Sequence, residues 1–224
     1  MRNRRGWRAL AARGTAAFVA MVACGVTGGG LIETGGVMAA EGPSQSERAY
    51  RAGKAAGGDR EARAHHQRGI DSARAVLATT ADAPDALLWL AANLAGEALS
   101  HGRLFALRVI PEIESTLLRL ERVHPLHDHA AGARALANLY WKAPAVISVG
   151  SSAKARRFFE LALERAPAFP GNQAMAAAFF ADQGDCARAR ALALAVSGRA
   201  DLDALGADAP EWRQLARDTL QDCE

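Results

Sequence analysis

Apolar side chains recur at helical spacing along most of the chain after residue 45. The clearest stripes are Leu87, Leu90, Ala91 and Leu94 in one segment and Ile113, Leu117 and Leu120 in the next. Positions three, four and seven residues apart share one face of an α-helix, so these stripes predict helices with a buried side. No stretch alternates Val, Ile or Thr with polar residues, and no Asn-Gly pair marks a hairpin. We therefore predict an all-α fold.

Glycine and proline residues divide these stripes into about nine or ten helices. Asp59 and Asp128 are expected to be N-caps, and Pro84 is expected at or just before the first turn of a helix. Pro111 is expected to restart or kink the helix that begins near Leu104. The expected helices span residues 46–56, 59–80, 85–99, 104–123, 129–142, 153–166, 171–181, 186–196 and 210–222.

One short segment carries the most specific pattern in the chain. Ala155, Phe159 and Ala162 lie at offsets of 0, 4 and 7, on one helix face, and Pro167 ends the helix. Small residues on either side of an aromatic one let a neighbouring helix approach closely, as in the second helix of a tetratricopeptide-type repeat. The expected positions of a second repeat are filled by Ala177, Phe180, Gly184 and Ala189. We predict a tetratricopeptide-like antiparallel helix-pair solenoid that forms one helical repeat domain over residues 46–224.

The beginning of the chain resembles an export signal. Five arginines are followed by an uncharged, mostly apolar run that ends at Cys24. This run is too short for a membrane-spanning helix, which needs about 20 residues. Met21-Val22-Ala23-Cys24 resembles a lipobox, which predicts a signal peptide over residues 1–23, lipidation of Cys24 and a flexible tether over residues 24–45. A lipoprotein of this kind is expected on the periplasmic side of a bacterial membrane, to which it is anchored by its lipid.

Two other routes remain open for the leader: cleavage after Ala39 or Ala40, and retention as an uncleaved N-terminal anchor. Removal of residues 1–23 takes away five arginines and leaves 22 basic residues against 24 acidic ones, a net charge of −2. The sequence pI near 9.0 therefore belongs largely to the leader. Because no basic excess remains to follow a phosphate backbone, we expect no nucleic-acid partner.

The cysteines fit an exported protein. If Cys24 is lipidated, Cys186 and Cys223 remain as an even pair in an oxidising compartment. Cys186 opens one expected helix and Cys223 nearly ends the last one. A disulfide between them would attach the C-terminal helix to the preceding repeat, and the alternative is a pair of free buried thiols.

Aromatic and amide side chains on two expected helices form a candidate surface for a ligand or partner. Tyr140 and Trp141 are consecutive, so they point in different directions and one of them must leave the core between the helices. Trp141, with Asn138 and Lys142, is the first candidate for a concave binding surface or pore lining. The whole predicted surface comprises Trp89, Asn93, Asn138, Tyr140, Trp141 and Lys142. Ordinary packing between repeats is the alternative, whereas Phe159 and Phe180 are expected in the core.

His124, His127, Asp128 and His129 form the densest group of metal-ligand residue types. They straddle a turn between two helices, where neighbouring side chains diverge, so a solvated turn is the alternative and we assign no metal. His65 and His66 are expected on a solvated helix face. Ser151 and Lys154 match the Ser-x-x-Lys motif of acylating enzymes, but the companion motifs Ser-Asp-Asn and Lys-Thr-Gly are missing. No other catalytic or nucleotide motif occurs, so we predict a protein that is not an enzyme and has no cofactor.

A longer resemblance covers roughly residues 60–197. The segments that carry it are Ala86-Leu87-Leu88-Trp89-Leu90-Ala91-Ala92-Asn93-Leu94, His127-Asp128-His129, Arg134-Ala135-Leu136-Ala137-Asn138-Leu139-Tyr140, Lys142-Ala143-Pro144, Ser148-Val149-Gly150 and Lys154-Ala155. In order and spacing they resemble the T component associated with TRAP transporters, a family of bacterial periplasmic lipoproteins. The resemblance implies an all-helical repeat protein that partners a periplasmic solute-binding protein in solute uptake, with a ligand channel and self-association into a homo-oligomer.

Three classes of function follow from these observations. The first is a non-catalytic, lipid-anchored periplasmic module that binds a protein partner through its helical repeats. The second is a metal-dependent envelope enzyme centred on the turn from His124 to His129. The third is a purely structural envelope scaffold that has no ligand.

Overall fold

The structure, a computed structural model, describes residues 44–224, and in this part of the chain it contains nine α-helices, one short 3₁₀ helix and no β-strand. The all-α prediction is therefore confirmed. The α-helices are α1 (Gln45–Ala55), α2 (Asp59–Thr79), α3 (Pro84–His101), α4 (Arg103–Val123), α5 (Ala131–Lys142), α6 (Ser152–Arg165), α7 (Pro170–Asp182), α8 (Cys186–Ser197) and α9 (Ala209–Asp222). The 3₁₀ helix, Leu202–Leu205, lies between α8 and α9.

Side-chain caps and prolines fix several helix starts. The hydroxyls of Ser44 and Ser151 and the carboxylate of Asp185 each accept a hydrogen bond from the backbone N–H three residues further on. Asp59 is not an N-cap as predicted, because Gly58 holds that position and Asp59 is the first helical residue. The helix α4 continues through Pro111 without a break, so no restart occurs there.

The start of α5 differs from the prediction. Asp128, His129 and Ala130 all have positive φ angles, of 44°, 55° and 64°. Residues other than glycine rarely adopt this left-handed conformation, and three in succession turn the chain sharply. As a result, α5 begins at Ala131, and Ala130 rather than Asp128 is its N-cap.

Neighbouring helices in the chain pack side by side. The most extensive contacts are between α1 and α2, α2 and α3, α3 and α4, α5 and α6, and α7 and α8, while α9 packs against both α7 and α8. Alanines without exposed surface line these contacts, among them Ala91, Ala92, Ala135, Ala137, Ala155 and Ala176. Such small side chains let helix backbones approach closely. Phe159 and Phe180 are fully buried, which confirms their predicted place in the core.

Covalent and ionic links hold the two ends of the described chain. Cys186 and Cys223 form the predicted disulfide, with their Cα atoms 5.3 Å apart, and this bond joins the start of α8 to the end of α9. At the other end of α9, the Lys54 ammonium group lies 2.6 Å from Glu211 Oε1 and 3.5 Å from Asp208 Oδ1. These ion pairs connect α1, the first described helix, to α9, the last.

The predicted leader, the lipidation site Cys24 and the tether up to residue 43 lie outside the described residues. Between residues 44 and 224, none of the helices combines the length and the apolar character that crossing a membrane requires.

A buried polar network joins α1, α2 and α3. The Asn93 side-chain N–H group donates to the backbone carbonyls of Trp89 and Ser46, at 2.8 and 3.1 Å. The Ser46 hydroxyl donates to the Gly69 carbonyl at 2.8 Å, and His66 Nδ1 lies 3.2 Å from Asn93 Oδ1. His66 is only 2% exposed, so the prediction that it is solvated is wrong.

Glycines make room for this network. A Cβ atom added at Gly53 or Gly96 would overlap the His66 imidazole ring, and one at Gly69 would overlap the Asn93 amide. The ring is therefore held between α1 and α3. Burial lowers the pKa of His66 below its usual value, because the ring cannot be hydrated when it is charged.

We predict that Gly96→Ala lowers the free energy of unfolding by about 1–3 kcal/mol, the usual effect of overpacking. The new methyl group must displace the His66 ring, and this outweighs the higher helix propensity of alanine. Urea unfolding followed by circular dichroism measures the change. Gly57→Ala is the control, since no atom lies within 4 Å of its added Cβ. Equal stability of the two variants would contradict the packing described for His66.

We also predict that acid destabilises the protein through His66. The unfolded state binds a proton near pH 6.5, whereas the folded state resists protonation, so the free energy of unfolding falls as the pH drops below about 6.5. His66→Gln should flatten this part of the pH profile, while His65→Gln, at a more exposed neighbouring position, should not. Parallel profiles for His66→Gln and the unmodified protein would refute the assignment.

Candidate functional site

One face of α5 carries Arg134, Asn138 and Lys142, which are spaced four residues apart, and Trp141 lies beside them. Residues at this spacing are stacked along a helix, about 6 Å apart along its axis. These side chains differ in the hydrogen bonds that they form and in how far they are exposed. The two differences separate structural residues from candidate binding residues.

Arg134 is structural. Its side chain has no exposed surface, and its guanidinium donates to the His129 carbonyl at 3.2 Å, to Asp128 Oδ2 at 3.1 Å and to Asn172 Oδ1 at 2.9 Å. The guanidinium also lies over the Phe169 ring, 4.9 Å from its centroid. Burial raises the pKa of Asp128, and the positive charge of Arg134 counteracts that effect.

Asn172 extends this network to a third helix. Its side-chain N–H group donates to the carbonyls of Ala162 and Ala166 at the end of α6, at 2.9 and 3.2 Å, and to the His129 carbonyl at 3.1 Å. The end of a helix leaves carbonyl groups without partners inside the helix, and Asn172 supplies a donor for them. Arg134 and Asn172 together therefore tie α5, α6 and α7.

Asn138 contrasts with these residues. Its side chain is 1% exposed, yet its Oδ1 atom has no hydrogen-bond partner among the described residues. A buried amide oxygen that lacks a donor destabilises the folded state by about 1–3 kcal/mol. Every residue of α5 from Ala131 to Tyr140 is buried, so this oxygen lies in the interior, one turn before the partly exposed end of the helix.

Trp141 and Lys142 lie one turn further along α5. The Trp141 indole N–H donates to Asp182 Oδ2 at 2.9 Å, and its ring makes edge-to-face contacts with Phe159 and Phe179. The Lys142 ammonium nitrogen lies 3.1 Å from the centroid of the Trp141 ring. Burial lowers the pKa of Lys142 to about 8, and Asp182 only partly opposes this. Between residues 44 and 224, no carboxylate forms an ion pair with this lysine.

Tyr140 points away from this face, as expected for a residue next to Trp141. It is 2% exposed, and its hydroxyl donates to Glu114 Oε1 at 2.7 Å. Burial and the Glu114 carboxylate together raise the pKa of Tyr140. Lys154 lies 4.7 Å from the centroid of its ring. Tyr140 thus belongs to the core between α4, α5 and α6 and not to the predicted surface.

Trp89 and Asn93 also lie in the interior, at 3% and 0% exposure. Trp89 packs against the Tyr50 ring, with centroids 5.6 Å apart, and Asn93 forms the network with His66. The sequence placed both residues on a partner surface, and burial removes them from it. Asn138, at 1% exposure, leaves the predicted surface for the same reason, so that Trp141 and Lys142, which are partly exposed, remain as the candidate site.

The turn before α5 does not bring its four metal-ligand residues together. His124 Nε2 lies 2.7 Å from the Asp82 carbonyl, and the His129 ring stacks on Phe169 with centroids 4.3 Å apart. Asp128, in contrast, points at Arg134. In the described part of the chain, no group of three or more His, Cys, Asp or Glu residues is placed to hold a metal ion.

Two structural features were missed at the level of sequence, namely the buried side chains of Arg134 and His66. Arg134 is flanked by Ala133 and Ala135 in a run of small residues, an unusual place for a solvated charge. His66 could have been found from Gly53 and Gly96, since glycine inside a helix often marks a close approach by another group.

Comparison with known proteins gives no family assignment: no protein-family model matches the chain, and no curated protein matches it.

We predict that Asn138→Leu keeps or raises the free energy of unfolding, by up to about 2 kcal/mol, because it removes a buried acceptor that has no donor. Asn93→Leu, on α3, should instead destabilise the protein, because it breaks the hydrogen bonds of this amide to Trp89, Ser46 and His66. Thermal and urea unfolding of the two variants provide the comparison. A large loss of stability in Asn138→Leu would show that its amide is satisfied inside the protein.

We predict that stability rises with pH above neutrality because of Lys142. Its pKa in the folded state is about 8, below the ordinary lysine value of 10.5, so the unfolded state holds the proton more tightly. The free energy of unfolding should therefore increase between about pH 8 and pH 10.5. Lys142→Met should abolish this increase, and Lys154→Met, at a more exposed lysine, should preserve it. The idea fails if the pH profile of Lys142→Met matches that of the unmodified protein.

Proposed function

We propose that this protein is an exported, non-catalytic helical-repeat module that binds a protein partner through one face of α5. The partly exposed end of α5 carries the proposal, because the Lys142 ammonium there has no carboxylate ion pair within the described residues. A partner that offers a carboxylate would pair with this lysine. Trp141, which is partly exposed beside it, supplies apolar contact area of the kind common at binding hot spots.

Export is supported by the disulfide between Cys186 and Cys223. Disulfides persist in oxidising compartments and are rare in the cytosol. Together with the leader-like sequence, this favours a periplasmic protein that is anchored to the membrane through a lipid on Cys24. The resemblance to the T component of TRAP transporters suggests that the partner is a periplasmic solute-binding protein.

Repeat architecture is part of the same proposal. Consecutive helices pair in the described chain, and helices two positions apart, such as α5 and α7 or α7 and α9, also touch. A tetratricopeptide-like solenoid has this arrangement, with alternate helices lining one side. We place α1, α3, α5, α7 and α9 on that side, which makes the α5 face a part of the inner surface.

Site-specific photocrosslinking in the native envelope tests the proposal. A photoreactive amino acid replaces Lys142 in one strain and Leu118, a partly exposed residue of α4, in a control strain. We expect the probe at position 142 to capture a solute-binding protein, identified by mass spectrometry, and the probe at position 118 to capture none. Capture of a second copy of this chain would instead indicate a homo-oligomer, and capture of nothing at position 142 would favour a structural scaffold.

A second arm of the experiment uses Lys142→Met, which removes the proposed partner of a carboxylate. Isothermal titration with the captured partner should show at least about tenfold weaker binding for this variant. Lys154→Met is the control, because Lys154 lies outside the α5 face. Unchanged affinity of Lys142→Met would remove the α5 face from the interface.

A further inference from the structure

Four consecutive apolar residues, Pro144 to Ile147, are exposed in the loop between α5 and α6. Val146 is 95% exposed and Ile147 is 67% exposed. A soluble surface normally avoids three or four exposed apolar residues in a row unless they serve a function. We call these four residues the apolar tip.

The base of this loop is closed, so the apolar tip projects from a fixed stem. The Ser151 N–H donates to the Tyr140 carbonyl at 2.8 Å, and the Ser151 hydroxyl caps α6 by accepting from the Lys154 N–H. Gly150 lies against the Ala143 carbonyl so closely that a Cβ atom would overlap it. These contacts hold both ends of the loop, while the four residues of the apolar tip remain exposed.

Two other apolar side chains are exposed at the two ends of α4. Leu104 in the first turn of α4 is 82% exposed. The opposite end of α4 leads into the turn that contains Leu126, which is 67% exposed, like Ile147.

The charges next to the apolar tip are all positive along the chain. Residues 129–159 contain no aspartate or glutamate, and the uncharged stretch 143–153 is bounded by Lys142 and Lys154, with Arg156 and Arg157 next in sequence. In space, Glu114 accepts from Tyr140 and lies 3.8 Å from the Lys154 ammonium, and Asp182 accepts from Trp141. Arg156 and Arg157, in contrast, form no ion pair with a described residue. An exposed apolar loop with basic residues beside it complements a surface that has an apolar interior and an anionic outer layer.

We propose that the apolar tip inserts into the surface of an anionic phospholipid bilayer. The projecting shape of the loop favours a lipid surface over a protein pocket as its binding site. Short apolar side chains can be buried in the interfacial region of a bilayer, where neighbouring basic residues contact the headgroups. The proposed lipid anchor would keep the apolar tip near the membrane, since the 20 residues from Cys24 to Ser44 reach at most about 70 Å when fully extended. The tip would then orient the helical array on the membrane.

An environment-sensitive fluorophore tests the proposal in the full chain. Ile147→Cys carries the label in one protein and Leu126→Cys in the matched control, each with Cys24→Ser so that only the introduced thiol reacts beside the disulfide. Both are mixed with vesicles of phosphatidylethanolamine and phosphatidylglycerol at a ratio of about 3:1, and separately with pure phosphatidylcholine vesicles. A quencher attached to the lipid chains reports whether the label enters the bilayer.

We expect the label at position 147 to shift to shorter wavelength and to be quenched with the anionic vesicles, and the label at position 126 to stay unchanged. Reversal of one exposed charge, Arg157→Glu, should weaken the response at position 147 by about tenfold. An equal response at both positions would mean that the leader alone binds the vesicles, and no response at position 147 would leave the tip outside the bilayer. Either result overturns the proposal. Neither would affect the α5 binding face, which photocrosslinking tests separately.

Discussion

A fully buried guanidinium group organises the middle of this protein. Arg134 donates to the backbone of a left-handed turn, to Asp128 in that turn and to Asn172 on α7. Three consecutive residues with positive φ are unfavourable by themselves, and they persist only when the surroundings hold them in place. The arginine supplies that constraint, so the start of α5 and everything that α5 presents to its neighbours depend on it.

Small side chains explain why buried polar groups matter here. Alanine contacts let helices approach closely but bury little apolar area for each residue, so packing alone distinguishes poorly between different alignments of two helices. Hydrogen-bond networks have strict geometry and therefore select one alignment. The network of Ser46, His66 and Asn93 does this for α1, α2 and α3, and the network of Arg134 and Asn172 does it for α5, α6 and α7.

Three buried asparagines differ in how far the protein satisfies their hydrogen bonds. Asn93 and Asn172 each donate to several backbone carbonyls. Asn138 is as deeply buried, but its Oδ1 atom has no donor among the described residues. An unsatisfied buried group destabilises the fold, so this position lowers the stability of the helix that presents Trp141 and Lys142. The apolar tip follows the same helix and adds an exposed apolar surface.

Helical spacing made much of the fold predictable from sequence. The apolar stripes gave the helices, the Ala-Phe-Ala pattern placed Phe159 in the core, and the position of the cysteines at two helix ends anticipated their disulfide. The site was less predictable, since Trp89, Asn93 and Tyr140 resemble surface residues until the neighbouring helices are in place. His66 looked solvated for the same reason, because the glycines that enclose it come from α1 and α3. The shift of the α5 start depended on Arg134, whose partners lie on other elements.

Hydrogen exchange of an Arg134→Met variant tests the central role of this side chain most directly. Loss of the guanidinium leaves the buried Asp128 carboxylate without its counter-charge, and removal of one partner from a buried pair typically destabilises a protein by about 3–5 kcal/mol. We expect amide protection to fall first in α5, α6 and α7, while α2 and α3 keep their protection at moderate denaturant concentration. Arg188→Met, which breaks an exposed ion pair with Glu160, should change protection by no more than about 1 kcal/mol. Protection of α5 to α7 that matches the unmodified protein would contradict the account.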